Sequence, residues 1–149
     1  DIAQRLEENN LPLNDVPTLL LLVGERLATV MGGSSGVLMS IFFTAAGQKL
    51  HDGQSLADAL LSGLAQMKQY GGADLGDRTL IDALQPALEA LKKKDLQAAA
   101  QAAQQGAEAT AKMAKAGAGR SSYVNKENLD GVMDPGAVAV AEVFNTLAQ

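Results

Sequence analysis

An all-α fold is predicted for this 149-residue chain, and three observations predict it. Apolar residues make up 47% of the sequence but aromatics only 3%, so a core must be assembled from Leu, Ala, Val and Met. That palette suits packed helices better than a β-sandwich, which spends Tyr, Phe, Thr and Val. Apolar residues recur at helical spacing, as in Leu19, Leu20, Val23, Leu27 and Val30. No convincing period-two alternation marks a strand. The expected architecture is a single domain, residues 1–149, of about seven or eight helices joined by short polar connections.

Each element has its own signal. Ile2, Ala3 and Leu6 form a short amphipathic piece closed by "EENN", and Pro12 marks a loop. Asn14 or Asp15 can cap a helix running to about Met31, with Pro17 tolerated in its first turn. A further helix is expected from near Ser34 to about Lys49, ended by "HDGQ". Ser55 then caps one carrying Leu56, Leu60, Leu61, Leu64 and Met67, which ends in "YGG". The next should start at Asp77 and run to about Lys93, with Pro86 kinking or splitting it. Asp95 caps an alanine-rich helix expected to reach the Gly117–Gly119 cluster. After a loop over 120–133, with one helical turn expected at "NKENL", Asp134 is a natural N-cap and Pro135 a natural first residue for the last helix.

Bulk chemistry narrows the function. Twelve Lys and Arg against 17 Asp and Glu give a net charge of −5, and no basic stripe stands out, which argues against a nucleic-acid partner. No apolar run reaches the roughly 18–20 residues of a membrane span. The absence of cysteine excludes disulfides and fits a reducing compartment, so a cytoplasmic location is expected. The opening "DIAQRLEENN" has neither the basic nor the apolar region of a signal peptide. It begins directly on amphipathic spacing, which reads as a fragment cut on its N-terminal side.

Polar residues and glycines gather at three connections: "MGGSSG", "YGGADLGDRT" and "GAGRSSYVNKENLDGVMDPG". All three precede a predicted helix start, where unpaired N–H groups and partial positive charge favour an anion such as phosphate. Arg78 and Arg120 can add charge-assisted contacts to the same oxygens. Plainer readings stand beside this one. "GGSSG" also reads as a close helix contact or a turn, "GDRT" as a capping turn with Arg78 solvated, and "DPG" as an everyday helix start. None is a Walker A loop, because no Gly-Lys-Ser/Thr follows the glycines. His51, the only histidine, reads as solvated in a loop beside Asp52. Lys92, Lys93 and Lys94 read as a helix C-terminus. Met31, Met39, Met67 and Met113 fall at core-like positions. No carboxylate pair is spaced for acid–base work, and neither a catalytic residue nor a metal ligand is assigned.

In that order, "MGGSSGVLMSIFFTAAGQKL", "YGGADLGDRTLIDAL", "GAGRSSYV" and "DPGAVAVAEVF" resemble the nucleotide-binding domain of dihydroxyacetone kinases. The resemblance runs from about Leu13 to the C-terminus. "GGSSG" followed by "FFTAA" looks more like the single-chain ATP-dependent enzymes than the separate subunit of phosphotransferase-dependent systems. It implies an up-and-down helical barrel of about eight helices, six to seven of them here. It also implies transfer of the ATP γ-phosphate to dihydroxyacetone or glyceraldehyde. That substrate would be held by a separate α/β domain, through a covalent bond to one of its histidines, and dimerisation would run through the same domain. By motif, Gly33, Ser34 and Ser35 are expected at the phosphates. Gly71, Arg78 and Thr79 should line the nucleotide site, and Asp134, Pro135 and Gly136 should close over it, with Arg120 added on charge and position. The Asp-Gly-Asp loop that holds two Mg²⁺ ions in the family is missing from these 149 residues, so the Mg²⁺ ligands are expected upstream and the chain alone should be inactive. Alternatives within the resemblance are an ADP-holding subunit of a phosphotransferase system and an FAD-AMP lyase that forms cyclic FMN. Outside it, the alternative is a helical interaction domain without a ligand.

Overall fold

In the computed structural model, the residues described are 14–93, 95–113 and 131–149. Among them the fold is all-α: α1 (Val16–Val30), α2 (Gly33–His51), α3 (Leu56–Gly71), α4 (Ile81–Lys93), α5 (Leu96–Thr110) and α6 (Pro135–Leu147). The expected short helix near Ile2–Leu6 and the turn at "NKENL" lie outside the described residues. The chain divides into two compact units, the first ending at Gly71 with α1–α3 and the second beginning at Gly72 with α4–α6.

Four helix starts follow from the side chains that the sequence places there. Asp15 accepts from the Thr18 N–H at 3.3 Å and from the Thr18 hydroxyl at 2.7 Å. The Ser55 hydroxyl accepts from Asp58 N–H at 3.2 Å and donates to the Asp58 carboxylate at 3.0 Å. Asp95 accepts from Ala98 N–H at 2.7 Å and Asp134 from Ala137 N–H at 3.0 Å. Each satisfies one of the donors that a helix end leaves open, typically worth about 1 kcal/mol.

In the first unit, glycines set how closely the helices pack. A Cβ at Gly24 would meet Thr44 and the Ser40 carbonyl, one at Gly36 the Leu27 carbonyl, and one at Gly47 the Pro17 carbonyl and Leu21. The two sets of numbers run in opposite directions, so α1 and α2 are antiparallel. Gly63 against Phe42 and Gly71 against Leu38 show the same for α2 and α3. Phe42, Ala46, Leu64 and Met67 are buried, and Phe42 meets Phe43 edge to face at 5.0 Å. Met67 thus fills the core position expected of it, whereas Val30 and Met31 are 58% and 51% exposed. They stand where α1 ends and the chain reverses, with the Met31 Cβ beside Gly36. His51 is the last residue of α2 rather than part of a loop, though it is exposed as expected.

The second unit is built on alanine. Ala83, Ala87, Ala99, Ala103, Ala107, Ala137 and Ala141 are buried with Leu84 and Leu88, so α4, α5 and α6 can approach one another closely. Pro86 does not split its helix, for α4 runs unbroken from Ile81 to Lys93. It has no N–H to offer the Asp82 carbonyl four residues earlier. That carbonyl instead faces Gly106 of α5, in the space where a Cβ would stand. Two boundaries differ from expectation. Helix α4 starts at Ile81, not Asp77, because left-handed backbone at Gly76 (φ +90°) and Arg78 (φ +59°) turns the preceding segment. Helix α5 ends at Thr110, well before Gly117.

Candidate functional site

The start of α2 is unlike the four capped starts. Its N-cap is Gly32, with φ +65° and no side-chain cap hydrogen bond, and Gly33 follows at φ +63°. Left-handed backbone at two successive positions is a demand glycine meets at no steric cost. A Cβ on either glycine would meet no described residue within 4 Å. Ser34 and Ser35 occupy the first turn and are exposed. The motif therefore divides. Gly36 makes the close helix contact, while Gly32 to Ser35 present an open helix N-terminus to solvent. Gly71 closes α3 and is exposed, with Gly72 at φ +73° after it. A separate groove of about 560 Å³ runs along α2 and α3, lined by Ser40, Thr44, Gln48, Ser62, Gln66 and Tyr70 among others; Gly33, Ser34, Ser35 and Gly71 do not line it.

In the second unit Thr79 belongs to a hydrogen-bonded group around Asp82, and Arg78 and Asp134 belong to a second group. Asp82, in the first turn of α4, accepts from Gly76 N–H at 2.7 Å and Thr79 N–H at 2.9 Å. The Thr79 hydroxyl accepts from Ile81 N–H at 3.2 Å. Together these resemble a Thr-x-x-Asp capping box, with the Thr79 hydroxyl serving Ile81 N–H in place of Asp82 N–H. Asp77 accepts from Asp74 N–H at 2.8 Å. The loop ahead of α4 thus spends several of its N–H groups on its own carboxylates.

Arg78 is not solvated. Its side chain is 1% exposed, with Nε donating to the Thr110 carbonyl at 3.1 Å and Nη2 to the Val132 carbonyl. Its Nη1 lies 4.0 Å from Asp134 Oδ1. Thr110 ends α5, so the cation sits where the helix dipole favours it. The Thr110 hydroxyl accepts from Asp134 N–H at 2.8 Å, and Gly131 N–H donates to the Ala111 carbonyl at 2.9 Å. The turn that launches α6 is therefore stitched to the end of α5. A Cβ at Gly136 would press on Asp134 Oδ2 and Leu80 at 3.2 Å each. Asp134 is buried, Gly136 half-buried and Pro135 exposed. Arg120 lies outside the described residues. Sequence reasoning missed Asp82 and Thr110 as members of these two groups. The spacing of Thr79 and Asp82 carried a signal for the first; nothing in the sequence singled out the second.

No group of three or more His, Cys, Asp and Glu placed to hold a metal occurs among the described residues. The Asp77 and Asp82 carboxylates accept from backbone N–H groups, so they do not present a shared set of oxygens to a divalent cation.

The architecture and its sites define an all-helical domain that offers one open, glycine-lined helix start and a second helix start braced from within. Over residues 1–149 the sequence matches the model of the DAK2 domain, and the chain belongs to that family. It is 62% identical to the dihydroxyacetone kinase of Citrobacter freundii, aligning with all of this chain and 27% of that protein. It is 41% identical to human triokinase/FMN cyclase over 88% of this chain and 24% of that protein. The crystal structure of the C. freundii kinase in its native form superposes with a TM-score of 0.86 at 60% identity, over 99% of this chain and 26% of that one. The structure of that kinase in complex with AMP-PNP and Mg²⁺ gives 0.85 at 58% identity, over 99% and 25%. The chain thus spans about a quarter of the length of these relatives.

Proposed function

We propose that the chain is the nucleotide-binding domain of a cytoplasmic kinase, holding ATP for phosphoryl transfer to dihydroxyacetone or glyceraldehyde on a separate substrate domain. The observation that carries this reading is the uncapped, exposed start of α2 in a chain 58% identical to a kinase crystallised with AMP-PNP and Mg²⁺. There the N–H groups of Gly33, Ser34 and Ser35, the two hydroxyls and the positive helix end suit phosphate oxygens. By motif, Gly71 in the first unit and Thr79, Pro135 and Gly136 in the second are proposed as nucleotide contacts, with Asp134 the buried N-cap of α6. Arg120 would add charge. Mg²⁺, when bound, neutralises charge that develops on the transferring phosphate. The residues described here do not make its ligand set, and we place those ligands outside this chain. Dimerisation through the substrate domain belongs to the same reading.

The experiment is calorimetric titration of AMP-PNP with Mg²⁺ into the whole polypeptide that contains this chain, with Ser34→Ala and Ser35→Ala variants alongside. Binding to the parent and a loss of about tenfold in the double variant are expected. No binding to the parent overturns the reading. The triokinase/FMN cyclase relatives favour a second activity at the same site, release of cyclic FMN from FAD. Incubation with FAD and Mn²⁺ tests it by the appearance of cyclic FMN. Tight, non-exchanging ADP in the purified protein would instead mark the phosphotransferase-dependent type.

A further inference from the structure

We propose that Arg78 is a positioning residue for the start of α6, acting through Asp134 and the Val132 carbonyl, and that its guanidinium touches no bound nucleotide. The ligand-facing half of this proposal rests on the nucleotide-binding reading above. An arginine in a glycine- and aspartate-rich loop invites assignment as a phosphate contact, but the geometry gives the side chain other work. It is buried to 1% exposure, and its donors point at the end of α5 and at the turn before α6. Asp134 uses Oδ2 to cap α6 at Ala137 N–H, while Oδ1 faces the guanidinium. Among the described residues, the positive charge meets the Asp134 carboxylate and the Thr110 and Val132 carbonyls.

The backbone of Arg78 is a second, independent observation. A φ of +59° is uncommon for a residue with a long side chain and persists only where the surroundings demand it. Here it accompanies a buried side chain that reaches Thr110 and Val132, one residue before the Thr79–Asp82 bond at the start of α4. One residue therefore joins the loop before α4, the end of α5 and the start of α6. Losing the guanidinium would leave the Thr110 and Val132 carbonyls without this donor and release the turn that aims Pro135 and Gly136.

The test uses Arg78→Lys and Arg78→Gln in the whole polypeptide, with two readouts. Amide exchange at Ala137 and Val138 should quicken about tenfold or more in both variants, while amides of Phe42 to Ala46 in the first unit keep their parent rates. Affinities for AMP-PNP and for AMP should fall by a common factor, and the salt dependence of binding should match that of the parent. A loss confined to AMP-PNP, with a shallower salt dependence, would make Arg78 a phosphate contact and overturn the proposal. Unchanged exchange at Ala137 would overturn it equally. A parent protein that binds no nucleotide would overturn the ligand-facing half together with the functional reading, whereas the exchange readout tests the hold on α6 alone.

Discussion

The carbonyl oxygen of Asp82 occupies the space that a side-chain carbon on Gly106 would need. Pro86 is the reason the carbonyl can face outward from α4, since it has no N–H to draw that oxygen into the helix ladder. Helix α5 then comes close enough for a Cα–H to approach the oxygen. Substituting Gly106→Ala should force the two helices apart and lower stability by about 3 kcal/mol, as read by urea unfolding of the whole polypeptide. A loss below about 1 kcal/mol would show that the helices can separate cheaply.

The Asp82 side chain has a separate task, accepting two backbone N–H groups on its two carboxylate oxygens. Asn in its place keeps one acceptor and points an NH₂ at the other donor. The substitution Asp82→Asn should cost about 2 kcal/mol, the worth of a hydrogen bond to a charged group together with the stranded donor. Amide exchange at Gly76 and Thr79 should rise with it, and unchanged exchange there would remove Asp82 as the organiser of the loop.

Thr110 is fully buried, its hydroxyl accepting from Asp134 N–H and donating to the Ala107 carbonyl at 2.5 Å. Valine matches its shape but strands the Asp134 N–H, so Thr110→Val should destabilise by about 1–3 kcal/mol. Serine keeps the hydroxyl and should lose less. Equal melting losses for the two variants would show that volume, not the hydrogen bond, matters at this position.

At the start of α1, the Thr18 hydroxyl and then its N–H hold the Asp15 carboxyl below its ordinary 3.8, with His51 adding a smaller pull in the same direction. A native pKa below the unfolded one means that the cap stabilises the fold fully above pH 3.8. Its contribution is lost as the pH falls through the lower native value. Carbon-13 titration of the Asp15 carboxyl should give a midpoint below 3.8, and Thr18→Ala should move it upward. A parent midpoint at or above 3.8 would rule out the cap in solution.

What the sequence makes legible is local chemistry. Asp15, Ser55, Asp95 and Asp134 each declare a helix start within a few residues, and the structure places a cap at all four. The all-α class follows from helical spacing and from the scarcity of aromatics. Contacts between segments distant in sequence are what stay hidden. Nothing near Arg78 tells that Thr110 and Val132, 32 and 54 residues away, will receive its hydrogen bonds. A lone loop arginine therefore reads as solvated or ligand-facing, and the choice between those two misses a third. Helix α4 begins late for a related reason: Asp77 is a good cap in isolation, but Asp82 accepts from Gly76 and Thr79 and draws the intervening residues into a turn. The glycines at 24, 47, 63 and 106 carry no local signal at all, because each is defined by what stands opposite.

Position 78 ends up answering to two masters that share no vocabulary. The left-handed backbone is most easily met by Gly, Asn or Asp, none of which carries a guanidinium. The three-way tie asks for a long planar cation, which those residues cannot imitate. No second amino acid satisfies both demands, so a saturation library at this codon should show a single peak with no shoulder of chemically similar survivors. Neutral drift has no stepping stone there, and any lineage that loses the arginine must rebuild the turn before α6 from other parts.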